Sequence, residues 1–467
     1  MAKPSEILNT KFPFEPTSGQ AHLFELFDEF LLNKQAHNPV LVLRGYAGTG
    51  KTTVVGAIVK MLPFFNYRYV LMAPTGRAAK VMSGYTQRTA FTIHKRIFQQ
   101  TGKPGEGFQF KRQKNYNKDS LFIVDEASMI SSKSEFGQKS LLDELFEYVF
   151  SQPGNRLLLI GDVAQLPPVG SNESPALEKD YLQGNFKSEI QSTELTQVMR
   201  QEEESGILFN ATRLREILHQ EKPLIKMATS RFPDIYKMTG EKLEDGLRYA
   251  YDKYGTENTA IICRSNKNAV QYNQYIRRAI QYREDEIDAG DFLMIVRNNY
   301  HFLPENTPAG FLANGDFVEV LKIIRFEEVY DLRFVSLRLR LLDYPDQEPF
   351  EANVLLDTLH SPEASLNDKA YRSLYEQVAA DYADIETKTE RMKAIKKDPY
   401  LNALQVKFAY ALTCHKSQGG QWDAVFVDQG YLTEEMVDHD YIRWLYTAIT
   451  RASKELFLVN FHKRFFA

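Results

Sequence analysis

At 467 residues, the chain is too long for one ordinary hydrophobic core, and about two to four domains are expected. Its 43% hydrophobic and 25% charged residues and mean hydropathy of -0.40 exclude a disordered or fibrous chain. A net charge of -4 counts only weakly against a nucleic-acid surface, because a local basic channel can sit within an acidic total.

The two cysteines, Cys263 and Cys414, form no CxxC pair and have no ligand-spaced histidine beside them. This argues against disulfide stapling and against a zinc or iron–sulfur site. The N-terminal stretch lacks the apolar segment of a signal peptide, and no run of about 18 apolar residues occurs. A reducing, cytoplasmic setting without membrane contact is therefore expected.

Residues 1–16 read as a tail that ends in apolar contacts. Thr17 or Ser18 caps an expected helix running to Lys34, with Leu23, Phe24, Phe27, Phe30 and Leu31 on its buried side. Gln20, in its first turn, reads as a surface glutamine on pattern alone. Its place shortly before a glycine loop gives it a second reading as a contact to an adenine edge, since an amide both donates and accepts.

That loop is in LVLRGYAGTGKTTVV (41–55), where an apolar strand runs into GxxxxGK[ST] and then a helix. The spacing points to a phosphate-binding loop. Glycines let backbone N–H groups approach phosphate oxygens, Lys51 reaches the β and γ phosphates, and Thr52 can hold Mg²⁺. Next, YRYVLMAPTGRAAKVM (67–82) reads as strand, turn and helix. Arg77 and Lys80 there fit either a solvated face or contacts to a nucleic-acid strand. Residues 103–118 carry Lys103, Lys111, Arg112, Lys114 and Lys118 against Glu106 alone, interleaved with phenylalanines. An inserted hairpin with aromatic and cationic tips fits, and so does a mobile solvated loop.

LFIVDEASMI (121–130) places Asp125 and Glu126 at the end of a buried strand, where idle acids are costly. With a phosphate loop upstream, the pair reads as a Mg²⁺ ligand followed by a residue that orients and deprotonates water. RLLLIGDVAQLPPVG (156–170) brings Asp162 and Gln165 to a further strand end. ELTQVMRQ (194–201) closes this first unit.

A helical stretch at 205–229 and a polar region precede TAIICRSN (259–266), which opens a second α/β unit. Residues 286–404 interrupt it with strand-like segments at 292–300, 315–324 and 332–342, read as a small β barrel or sheet, followed by charged helices. The second unit resumes at VKFAYALTCHKSQGGQWDAVFVD (406–428) and ends near YIRWLYTAITRASKELFLV (441–459). Arg451, near the end of a largely apolar helix, needs a partner, and a shared phosphate suits its planar fork.

Taken together, GYAGTGKTT, APTGRAA, TIHK, VDEASMI, GDVAQLPPVG, LTQVMRQ, LTCHKSQGGQWDAV and YTAITRA resemble the ordered motif set of superfamily 1 helicases. TIHK, GDVAQLPPVG and LTCHKSQG are similar to its RecD-like group. The resemblance implies an α/β fold: two RecA-like P-loop NTPase domains, an inserted hairpin at about 95–118 and an accessory domain with a small β barrel. The domains would run 1–199, 200–289 with 405–467, and 290–404 for the accessory part.

ATP with Mg²⁺ would sit between the motor domains and single-stranded DNA across both, with 5′ to 3′ movement and unwinding of duplex junctions. By position, Gln20, Gly45, Gly48, Gly50, Lys51, Thr52, Thr53, Gln418 and Gly419 would contact the nucleotide. Thr52 and Asp125 would hold the metal ion. Glu126, Lys51, Gln165, Arg200 and Arg451 would carry catalysis. Thr75, Arg77, His94, Thr413 and His415 would line the DNA path. A monomer is expected, with repair, recombination or replication proteins as further partners. An ATP-switched nucleic-acid clamp and an ATPase acting on another kind of partner stay open as alternatives, as does RNA as the track.

Overall fold

The computed structural model describes residues 2–101, 109–133, 139–198, 204–218, 220–221, 223–304, 309–344, 346–363 and 365–466. Helix α1 (Pro4–Lys11) leads into α2 (Ser18–Leu32). α2 opens on a capping box: the Thr17 hydroxyl accepts the Gln20 N–H, and the Gln20 side chain accepts the Thr17 N–H.

The first sheet is built from β1 (Val40–Gly45), followed by α3 (Lys51–Met61), β2 (Arg68–Ala73), α4 (Gly76–Thr86), β3 (Ala90–Thr92) and the short α5 (Ile93–Ile97). A hairpin of β4 (Phe98–Thr101) and β5 (Gln109–Arg112) follows, and its tip lies outside the described residues. Then come β6 (Ser120–Val124), α6 (Leu141–Val149), β7 (Arg156–Gly161), α7 (Lys179–Asn185) and β8 (Ile190–Leu195). The six strands outside the hairpin lie parallel in the order β3-β2-β6-β7-β1-β8. Successive side chains of a strand leave on opposite faces. Leu41 and Leu43 accordingly join the core with α2 and α3, while Val40 and Val42 join the one with α6.

The second unit starts with α8 (Gly206–Ile217), β9 (Ile235–Met238), α9 (Leu243–Tyr254), β10 (Thr259–Cys263) and α10 (Asn266–Tyr275). A closed barrel then interrupts it, made of β11 (Phe292–Ile295), β12 (Phe317–Val329), β13 (Leu332–Leu341), β14 (Phe350–Leu355) and, after α11 (Asp368–Asp381) and α12 (Lys388–Lys396), β15 (Leu404–Phe408). The unit is completed by β16 (Ala411–Thr413), α13 (Cys414–Ser417), β17 (Trp422–Asp428), α14 (His439–Ile449) and β18 (Ala452–Val459). Its parallel order is β16-β10-β17-β18-β9. Two parallel sheets plus a closed five-stranded barrel are the α/β arrangement that the motif set implies.

Two details differ from the sequence reading. β15 closes the barrel by pairing with β11 and β14, so the barrel reaches past residue 404. The stretch read as merely polar before residue 259 contains β9 and α9. β9, Ile-Tyr-Lys-Met, is a four-residue edge strand, too short for an apolar alternation to be read.

The barrel is seated on the first unit at the start of α4. The Lys80 ammonium donates to the Leu342 carbonyl at 2.8 Å and lies 3.4 Å from Asp343. Gly76 has no room for a side chain, since a Cβ there would collide with Asp316 Oδ1. Burial pushes the Asp316 carboxyl up to about 8 from its ordinary 3.8, with the Ala313 N–H and Lys95 opposing and Asp343 adding to the rise.

Between those pH values the native state holds a proton that the unfolded chain has released, so stability falls as pH rises through the window. Asp316→Asn removes this term. Its stability gain over wild type in urea unfolding is expected to be larger at pH 8 than at pH 5, by about 1 kcal/mol or more. A gain independent of pH would show that Asp316 does not take up a proton on folding.

Candidate active site

The strands of the first sheet run parallel, so the turns after β1, β6 and β7 emerge at one edge, where open α/β sheets form their binding crevice. The second unit faces that edge and closes a cleft of about 450 Å³. Gly48, Gly50, Lys51, Thr52, Thr53, Asp125, Glu126, Asp162 and Gln165 line it from one side, and Gly419, Thr450 and Arg451 from the other. Ten of the sequence-selected residues are thus brought together across two sheets.

The glycine loop has the backbone its sequence requires. Gly48 and Gly50 have φ of 74° and 81°, in the left-handed region that favours glycine. A Cβ on Gly45 would stand 3.0 Å from Thr49 Oγ1 and 3.1 Å from Lys51 Cγ, so both side chains would have to give way. The Lys51 ammonium donates to the carbonyls of Gly45 and Tyr46, both at 2.7 Å. Gln20 is fully buried, which overturns its reading as a surface glutamine. Its amide donates to the Thr49 carbonyl at 3.1 Å, so it braces the loop from behind. Gly45 and Gln418 likewise stand outside the cleft lining.

On the acidic side, Asp125 Oδ1 accepts the Glu126 N–H at 2.8 Å, and Oδ2 accepts the Tyr85 hydroxyl at 2.6 Å. Glu126 has φ of 52°, an uncommon backbone for a residue with a side chain. Desolvation raises its carboxyl above the usual range. Arg451 opposes this most, then Asp125 adds to the rise, Lys51 opposes it and Asp162 adds further. The hydroxyl of Thr52 and the carboxylate of Asp125 form an all-oxygen donor pair facing one cleft, which fits a hard cation such as Mg²⁺.

Arg451 is 3% exposed. Its guanidinium donates to the carbonyls of Thr447 at 3.1 Å and Gly420 at 3.3 Å, and Nη1 lies 4.0 Å from Glu126 Oε1. The other arginine expected here, Arg200, lies outside the described residues.

Three more residues of the second unit join the halves. The Tyr446 hydroxyl accepts the Ala47 N–H of the glycine loop at 2.8 Å and donates to Asp162 Oδ2 at 2.6 Å. The Thr447 hydroxyl accepts the Leu166 N–H at 2.8 Å, and the Gln418 amide donates to the Leu166 carbonyl at 2.7 Å. Gln165 sits between these anchors with its buried amide oxygen unpartnered among the described residues. Sequence reasoning assigned no role to Tyr446 or Tyr85. A phenol acting on a carboxylate 40 residues away leaves no spacing signal.

Comparison with known families agrees with this geometry. Residues 29–171 match the model described as an AAA domain, and residues 408–459 match that of the UvrD-like helicase C-terminal domain. The two matches thus cover a P-loop NTPase half and a UvrD-like helicase C-terminal half. The P-loop NTPase half implies ATP as ligand.

The chain is similar, at 34% identity over 41% of its length, to the ATP-dependent RecD2 DNA helicase of Deinococcus radiodurans, of which the match spans only 24%. It is 23% identical to the ATP-dependent DNA helicase dda of Enterobacteria phage T4, covering 95% of the chain and 99% of that relative. A crystal structure of Pif1 helicase from Bacteroides in complex with ADP-AlF3 and ssDNA covers 97% of the chain and 95% of that protein, at 15% identity and a TM-score of 0.47.

The residues expected along a DNA path are placed differently from one another. Thr75 caps α4, its hydroxyl accepting the Ala78 N–H at 3.2 Å, and a Cβ on Gly419 would stand 3.1 Å from that oxygen. Thr413 is half-buried at the start of α13, and His415 is exposed on it. His94 is half-buried on α5, its ring 5.8 Å from that of Phe98, and burial lowers its pKa.

Arg77 is half-buried between packed elements and does not stand on a fully solvated face. Its guanidinium lies 4.3 Å from the Trp422 ring and 4.6 Å from that of Phe317, joining the first unit to the second and to the barrel. Arg77→Ala is expected to cost about 1–2 kcal/mol of stability in chemical unfolding. It should leave the salt dependence of single-stranded DNA binding unchanged. A salt slope lower by about one would instead mark Arg77 as a phosphate contact.

Proposed function

We propose that this chain is an ATP-dependent DNA helicase that translocates 5′ to 3′ on single-stranded DNA and opens duplex junctions. The observation that carries the proposal is the approach of Arg451, from the second unit, to 4.0 Å from Glu126 opposite the Lys51 loop. Hydrolytic groups from two separately folded halves then act only when the cleft is closed, as a motor requires. The DNA helicases RecD2 and dda among its relatives support DNA as the track and favour the RecD-like branch.

In this reading Lys51 leaves the Gly45 and Tyr46 carbonyls for the β and γ phosphates, and the loop N–H groups hold the remaining phosphate oxygens. Glu126 orients the attacking water and takes its proton, a role that its raised pKa suits. Thr52 and Asp125 would hold Mg²⁺, which would supply positive charge to the phosphate oxygens. Gln165 would donate its side-chain N–H to the γ phosphate. Arg451 stabilises the charge that develops there, and Arg200 is proposed beside it.

Gln418 and Gly419 link the nucleotide to the DNA grip, for which Thr75, His94, Thr413 and His415 are the proposed residues. Opening and closing of the cleft would change the spacing of the two halves along the strand once per ATP. Repair, recombination and replication are the proposed settings.

Lys51→Ala and Glu126→Gln are expected to abolish turnover. Arg451→Ala should lower DNA-stimulated kcat by about 10³-fold or more while nucleotide affinity changes only a few-fold. Normal DNA-stimulated hydrolysis in Arg451→Ala would sink the assignment. In an unwinding assay, duplexes with a 5′ single-stranded tail should open and those with a 3′ tail should not. Failure of single-stranded DNA to stimulate hydrolysis would point to another partner, and ATP-dependent binding without unwinding would point to a clamp.

A further inference from the structure

We infer that Tyr85 is a positioning residue for Asp125, the carboxylate that holds the divalent cation of the nucleotide site. The inference rests on the nucleotide reading proposed above and adds a residue that none of the motif strings contains. Tyr85 lies near the end of α4 and lines the cleft. Its ring packs against the apolar cluster of the first sheet. A phenylalanine would fill that place equally well, so packing accounts for the ring and leaves the hydroxyl to be explained.

The hydroxyl donates to Asp125 Oδ2 at 2.6 Å, while the backbone N–H of Glu126 donates to Oδ1 at 2.8 Å. A carboxylate's terminal torsion is otherwise broad and roughly two-fold. Donors on both oxygens hold it in one orientation. Each oxygen accepts about two hydrogen bonds in all, so both keep capacity for a cation.

The choice of a phenol is chemically apt. The cleft already gathers Asp125, Glu126 and Asp162. A lysine or arginine at position 85 would orient the carboxylate but would also compete with the cation for its charge. A neutral hydroxyl orients without competing. Hydrogen-bonded partners of metal-binding side chains typically contribute about 10–100-fold to metal affinity, and that is the size of effect expected here.

The test uses the full chain and Tyr85→Phe, with binding of a fluorescent ATP analogue followed during Mg²⁺ titration and again in EDTA. The Mg²⁺ concentration for half-maximal binding should rise about tenfold or more. Excess Mg²⁺ should restore wild-type turnover, and the EDTA affinity and melting temperature should match wild type. An unchanged Mg²⁺ midpoint would overturn the inference, and so would an equal loss of affinity in EDTA, which marks a packing role. Absence of Mg²⁺-dependent nucleotide binding in wild type would overturn the reading of the cleft itself.

Discussion

The Tyr446 hydroxyl has one proton to donate and can accept in return, and it uses both capacities across the cleft, toward Asp162 and from the Ala47 N–H. Much of the molecule depends on that joint. It holds α14 against the glycine loop, and Arg451 follows at the end of the same helix, facing Glu126. Because Tyr446 is almost wholly buried, its hydroxyl needs these partners. A buried polar group left unpaired costs roughly 1–3 kcal/mol. The contacts of Thr447 and Gln418 to the two backbone polar groups of Leu166 place Gln165 under the same control. The phosphate loop, the Asp162 turn and the arginine helix therefore hold one geometry together.

A second joint lies at the other end of the site. α4 begins at Gly76 and Arg77, pressed against the barrel and Trp422, and nears its end at Tyr85, bonded to Asp125. One helix thus carries a three-way packing contact at its start and, near its end, the hydroxyl that holds an acid of the cleft. The barrel is inserted between α10 and β16, and its core merges with that of the second unit. Its seat on the first unit includes groups that are costly to bury: Asp316, kept protonated by burial, and Asp343 beside Lys80.

Much of the site was legible in the chain because phosphate chemistry constrains local sequence. A glycine loop between strand and helix, and acids directly after a buried strand, announce themselves within a dozen residues. Lys51, Thr52, Asp125 and Glu126 were named that way, Gln165 and Arg451 gained their roles from the motif resemblance, and all six line one cleft. The same local logic found the strands of the barrel but not β9, which lacks an apolar period. It could not place Arg77 between Phe317 and Trp422, because a guanidinium between two rings has the same sequence as a solvated one.

Secondary-structure period, loop chemistry and the identity of the reactive side chains were determined by the sequence itself, since each depends on neighbours a few residues apart. Tertiary structure alone decided which groups meet. Tyr446 finds Ala47 and Asp162, Tyr85 finds Asp125, and Arg77 finds Phe317 and Trp422. Those pairings span up to 399 residues, and they arise because parallel strands deliver distant turns to one edge. No local pattern encodes that convergence.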